Sequence, residues 1–152
     1  MTQDAEFIPT LAVIEIVGDL GGMSAVEANR LFSGVISEIA VGCTSSGVGM
    51  IGHIKANFTT YDGMLSVSCT TDDGKVRSRS EFGSPVKGYR SIMNVIVYGI
   101  GYSHMCTVID SAVKKIPGKK KVTKTGDAGC TDPHCKDPNC TDPTHRTVIR
   151  LD

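Results

Sequence analysis

The sequence predicts an α+β fold in which an antiparallel sheet of four to five strands carries two helices on one face. Three patterns support this: one helical apolar stripe after Ser24, alternating apolar and polar runs over residues 48–82, and a second helical stripe before Pro117. They give the element order β-α-β-β-β-β-α. An antiparallel meander with both helices packed on one side is the simplest way to bury these faces.

The first two elements are a strand and a helix. Residues 7–17 are rich in β-branched side chains and predict a strand, with Pro9 near its start. Ser24 and Glu27 have the spacing of a capping box, which satisfies free backbone amides at the start of a helix. The predicted apolar stripe of this helix is Ala28, Leu31, Phe32, Val35, Ile36, Ile39 and Ala40. Gly42 is expected to end it.

Three alternating strands and one fully apolar strand follow. The turn sequences at residues 61–63 and 72–74 both contain Asp-Gly, a strong hairpin signal between alternating runs. Residues 92–98 are apolar on both faces, which is typical of a central strand. A second helix is expected to run from Ser103 to Ile116, and Pro117-Gly118 to end it.

The chain is expected to have three parts. Residues 1–116 form the α+β body, residues 117–129 a basic flexible linker, and residues 130–152 an irregular tail that a metal staples. The body up to residue 113 holds seven Lys and Arg against eleven Asp and Glu, whereas the remainder holds nine against five. The tail has too little apolar content to fold by burial, so its order must come from a metal or a partner.

A five-residue repeat in the tail is the strongest functional signal. Cys130, Cys135 and Cys140 recur at equal intervals, each followed two residues later by Asp-Pro, and His145 completes the series. Five extended residues span roughly 16 Å, too far for two ligands of one ion. Because Asp-Pro favours a tight turn, each unit can fold back and bring its cysteine toward the previous one.

The repeat therefore predicts a metal site with Cys130, Cys135, Cys140 and His145 as ligands. Three thiolates and an imidazole suit tetrahedral zinc. An iron–sulfur cluster on the same ligands is the alternative, although cluster ligation usually employs four cysteines. His134 can replace His145 as the fourth ligand. The competing interpretation is a low-complexity tail whose regularity has no role.

Other candidate residues in the body carry weaker signals. Three cysteines, Cys43, Cys69 and Cys106, are expected to be small apolar core residues. The alternative is that the fold brings them together, in which case they would form a second redox or metal site. His53 is expected to be exposed on the polar side of its strand, and His104 to lie in the first turn of the second helix.

The predicted function is that of a metal-binding accessory or regulatory protein, not an enzyme. Its body and stapled tail would dock on a larger protein assembly. Assembly with further copies of the same chain is an alternative partner arrangement. Lysines 119–124 would attract an acidic protein surface. Nucleic acid is the less favoured partner, because a chain without tryptophan has few aromatic side chains to stack on bases. The alternatives are a redox-responsive protein that uses a cluster or thiol switch, and a metallochaperone or small enzyme with a pocket in the body.

A cytoplasmic location without a membrane span is also expected. The N-terminus is acidic and polar, unlike a signal peptide, and no apolar stretch approaches the roughly 18 residues of a membrane span. Clustered cysteines in that compartment favour metal or redox chemistry over structural disulfides.

Overall fold

The structure is a computed structural model that describes residues 9–45, 49–83, 85–127 and 148–151. Seven strands and two helices follow in the order β1 (Thr10–Met23), α1 (Ala25–Thr44), β2 (Met50–Thr60), β3 (Gly63–Cys69), β4 (Arg77–Glu81), β5 (Val86–Tyr98), α2 (Tyr102–Val113), β6 (Lys120–Asp127) and β7 (Val148–Leu151). The predicted α+β class with two helices is confirmed.

All seven strands form one antiparallel sheet in the order β4-β3-β2-β5-β1-β6-β7. Strands β2, β3 and β4 form the expected meander, but β5 returns to pair with β2 and β1. This corrects the simple meander of the sequence analysis. Residues 92–98 of β5 are apolar on both faces except at Asn94 and gain most from a central place, whereas every residue of β4 is exposed, which suits an edge.

Helix α1 begins where the sequence predicts. The Ser24 hydroxyl oxygen accepts a hydrogen bond from the backbone N–H of Glu27 at 3.1 Å, which satisfies one of the free amides of the first turn. The predicted stripe faces the sheet, and Phe32 contacts Phe58 of β2 with ring centroids 4.2 Å apart. Tyr89 of β5 packs on both rings, so three elements share one aromatic cluster.

Residues 120–127 are strand β6, not part of a flexible linker. β6 pairs with β1 from Gly18–Lys120 to Leu11–Asp127. It therefore lies inside the sheet, with Val122 and Lys124 buried toward the helices. The sequence interpretation was wrong here because a lysine-rich strand with little apolar content resembles a solvated segment. This strand, with β7, raises the sheet from the expected four or five strands to seven.

The two faces of the sheet differ in their cover. Helix α1 packs on β1 to β5, and α2 packs on α1 and β1, so both helices lie on the same side. We call the opposite surface the open face. In the described part of the chain, no helix has the length and apolar content needed to cross a bilayer.

Candidate metal centre

The predicted ligands Cys130, Cys135, Cys140 and His145, and the alternative His134, lie outside the described residues. The structure does describe the two strands that flank them in sequence. β6 ends at Asp127, three residues before the first cysteine, and β7 begins at Val148, three residues after the histidine. The placement of these strands therefore constrains where the predicted site can form.

Strands β6 and β7 are neighbours in the sheet and run antiparallel. Their register pairs Thr125 with Val148 and Val122 with Leu151. Paired Cα atoms in such a ladder lie about 4.5–5.5 Å apart. Cys130 follows Thr125 by five residues and His145 precedes Val148 by three, so they can extend at most about 17 Å and about 10 Å from that point. The two ends of the segment that carries the predicted ligands are thus held at neighbouring positions on the sheet.

A buried ion pair joins β6 to helix α2. The Lys124 Nζ donates to Asp110 Oδ1 at 2.5 Å. The lysine side chain is only 1% exposed, whereas that of Asp110 is 33% exposed. Burying an ammonium group is costly unless an opposite charge offsets it. The Asp110 carboxylate therefore makes it possible for a lysine to lie on the helix side of β6.

Tyr102 and Cys106 lie on the same side of α2 as Asp110, at four-residue intervals. Burial raises the pKa of Tyr102 well above its usual range, and the neighbouring Cys106 adds to the effect. The Tyr102 hydroxyl is buried and has no hydrogen-bond partner among the described residues. Its ring lies against Gly126, where an added Cβ would stand 2.0 Å from Cε1. Only glycine fits beside this ring, two residues before the described part of the chain is interrupted.

The three body cysteines are free thiols in different environments. Cys43 at the end of α1 and Cys69 at the end of β3 are buried, and Cys106 is half-buried. Burial raises the pKa of Cys43 to about 11, so this thiol is protonated near neutral pH. Over the described residues, no three or more His, Cys, Asp and Glu side chains are grouped so that they could hold a metal ion.

The two histidines of the body lie on β2 and on α2. His53 lies at a bulge of β2, opposite Ile96 of β5, and is half-buried rather than exposed as the sequence suggested. The flanking bulge between Ile51 and His53 explains the difference, because it breaks the alternation from which exposure was inferred. His104 is exposed in the first turn of α2, as expected.

Two cavities of about 460 Å³ lie at the β4 end of the sheet. One is lined by Ala25, Val26, Asn29, Arg30, Ser80 and Phe82, and the other by Ser68, Thr70, Thr71, Asp73, Lys75, Val76 and Arg77. Neither lining contains a histidine or a cysteine.

Comparison with models of known protein families finds none that matches this chain. Comparison with curated proteins likewise finds no match. The functional argument therefore depends on the residues of the chain and on the geometry just described.

Proposed function

We propose that residues 130–145 bind one metal ion and that the protein is a metal-dependent accessory or regulatory protein. Cys130, Cys135, Cys140 and His145 are the proposed ligands, and zinc is the proposed ion. The observation that carries the proposal is the pairing of β6 with β7, which anchors both ends of the ligand segment at one place. A free tail would leave its first and last ligands unconstrained.

The strand pairing lowers the entropic cost of assembling the site. Bringing together two distant points of a flexible chain costs conformational entropy that grows with the logarithm of the loop length. Here the pairing of Thr125 with Val148 has already brought the ends of the loop together. Ion binding then has to order only the turns inside the loop, and the three Asp-Pro pairs favour such turns.

Metal binding and the β6–β7 pairing should stabilise each other. Within the described sheet, β7 has four residues, lies at the edge, and pairs with β6 alone. An ion that closes the loop would favour this pairing, since any ligand that binds the ordered state shifts the equilibrium toward it. We propose that metal binding and release in this way change how firmly β7 pairs with β6. Such a change would make the protein regulatory rather than a metal store.

The decisive experiment compares the metal content of matched cysteine variants after anaerobic purification. The wild-type protein is expected to contain about one ion per chain, with the colourless spectrum of zinc. A Cys130→Ser, Cys140→Ser double variant should lose it, because two of four ligands are removed. Cys106→Ser, in the body, is the control and should retain full occupancy. Unchanged metal in the double variant would contradict the proposal.

The same preparation separates the zinc site from the redox alternative. A brown protein with visible absorption would identify an iron–sulfur cluster on these ligands. Counting free thiols before and after mild oxidation would show whether the loop loses metal and forms a disulfide, as a thiol switch does. His145→Ala and His134→Ala, tested separately, identify the fourth ligand by which of them lowers metal content.

A further inference from the structure

The open face has an apolar centre on the two central strands. β1 and β5 direct Leu11, Val13, Val17, Ile92 and Ile96 to this side, alternating with residues that face the helices. Val13 is 43% exposed and Val17 48% exposed. A solvated face of an antiparallel sheet normally carries polar side chains at these positions, so this apolar centre calls for a covering partner.

The strand register places these apolar residues on one side of β1 and β5, interleaved with polar ones. Leu11 lies opposite Ile96, and Val13 and Val17 follow on the same side of β1. Ile92 lies opposite Glu15 in the middle of this set. Val13 lies opposite Asn94 and Val17 opposite Arg90, so these valines approach the isoleucines of β5 only along diagonals of about 7–8 Å.

A basic rim borders the apolar centre. The register aligns Arg77 of β4, Ser68 of β3 and Lys55 of β2 in one row across the sheet, ending at Asn94 of β5. Arg79 lies in the next row, and Arg90 and Lys121 flank Val17 on both sides. Although residues 1–113 carry more acidic than basic groups, four of their seven Lys and Arg side chains lie on this face.

Two glutamates of this face are paired with arginines. Glu15 accepts hydrogen bonds from Arg90 Nε at 2.8 Å and from its terminal nitrogen at 2.5 Å. Glu81 accepts from Arg79 at 3.2 Å. These two pairs neutralise their own charges. Lys55, Arg77 and Lys121 then outnumber Asp19, an exposed carboxylate on the same side of β1, so the described rim keeps a positive balance.

We propose that the open face is the docking surface for a protein partner that presents acidic side chains around an apolar centre. This inference rests on the proposed accessory role and specifies its surface. Electrostatic complementarity selects the acidic partner, and burial of the valines and isoleucines supplies affinity. Five of the aromatic side chains are committed elsewhere: Phe32, Phe58, Phe82, Tyr89 and Tyr102 pack on the helix side of the sheet. Tyr98, two residues after Ile96 on β5, is the one aromatic residue of the described strands on the open face, so base stacking is poorly supplied.

The test places a photoactivatable phenylalanine derivative at position 17 or at position 41. Val17 and Val41 are 48% and 47% exposed, but Val41 lies on α1, away from the open face. Irradiation in an extract of the native host cells should capture a protein from position 17 and not from position 41. The captured protein is then identified, purified and recombined with the full-length chain, and its contact surface should be acidic.

Charge reversal completes the test with the reconstituted pair. Arg77→Glu, Arg79→Glu should raise the Kd tenfold or more, and added salt should weaken wild-type binding. The matched control, Arg30→Glu, Lys114→Glu, makes the same change in net charge on α1 and at the end of α2, and should leave the Kd within twofold. All four side chains are exposed, so these variants are expected to fold, which circular dichroism verifies.

Four outcomes would overturn the docking surface. They are no capture from position 17, capture of the same proteins from both positions, cross-links only between two copies of this chain, and cross-links to nucleic acid. An equal loss of binding in the control charge variant would also overturn it. Metal content reports on the loop and cross-linking on the sheet, so either proposal can fail while the other stands.

Discussion

At the scale of single residues, Lys124 joins β6, the strand that precedes the proposed ligand segment, to helix α2. It is the only charged side chain in the fully buried set of the described residues, and Asp110 on α2 offsets its charge. The pair is asymmetric, since Asp110 keeps contact with water and Lys124 does not. Removing the carboxylate would strand a buried ammonium, whereas removing the lysine would leave a carboxylate that solvent can reach.

This asymmetry predicts unequal costs for the two single substitutions. Asp110→Ala should lower the free energy of unfolding by about 3 kcal/mol, because it leaves Lys124 buried without a partner. Lys124→Met, of similar shape, should change it by less than about 1 kcal/mol. Urea denaturation measures both, and the Asp110→Ala, Lys124→Met double variant should recover most of the loss. Equal losses in the two single variants would refute this view of the pair.

At the scale of elements, the link between β6 and β7 connects the proposed metal site to the fold. β6 is held on one side by β1 and on the other by β7, and β7 has no second neighbour in the described sheet. The stability of β7 should therefore depend on what closes the loop between the two strands. β6 should depend on it much less, because β1 pairs with it along its whole length.

This dependence predicts that metal removal loosens β7 selectively. With metal at about 100 times its Kd, binding contributes about 2.7 kcal/mol, so a chelator should speed amide exchange in residues 148–151 by up to about 100-fold. Amides of α1 serve as the internal control and should exchange at unchanged rates. In the Cys130→Ser, Cys140→Ser variant, β7 should exchange fast with or without chelator. If amide exchange in β7 changed neither with the chelator nor in the double variant, the proposed coupling between metal binding and the β6–β7 pairing would be contradicted.

At the scale of the whole molecule, the division into body, linker and tail changes its meaning. A body ending at residue 116 would lack β6, and β1 would become an edge strand with its backbone groups exposed. Buried Val122 would be lost and Asp110 would lose its lysine partner. The smallest unit expected to be stable therefore extends through Asp127.

Two truncations test this boundary. A chain ending at Gly118 should melt at least about 10 °C below the full-length protein, or lose its cooperative transition, because β6 is missing and β1 is left as an exposed edge. A chain ending at Asp127 keeps β6 and should lose far less. Thermal melts followed by circular dichroism compare them. If the shorter chain melted with the longer one, β6 would be dispensable and the original linker interpretation would be right.

The parts of this structure that follow local rules could be predicted from sequence. Ser24 and the stripe from Ala28 to Ala40 define α1, because a cap and a 3.6-residue period are properties of one short segment. The alternation in β2 and β3 and the Asp-Gly turns are local in the same way. The equal spacing of Cys130, Cys135 and Cys140 depends on sequence alone, so the ligand hypothesis needed no fold, and it stays a prediction.

The sequence by itself determined the α+β class, helix α1, the alternating strands and the candidate ligands, since each arises from neighbours along the chain. The central place of residues 92–98 also followed from their apolar pattern. Only the tertiary structure decided that β5 pairs with both β2 and β1, that a lysine-rich segment is the internal strand β6, and that β7 pairs with β6. These features depend on partners distant in sequence. Lys124 is acceptable in a buried strand only because Asp110 lies on the helix above it. No local pattern records such a pairing, because charge compensation and strand order are properties of the assembled core.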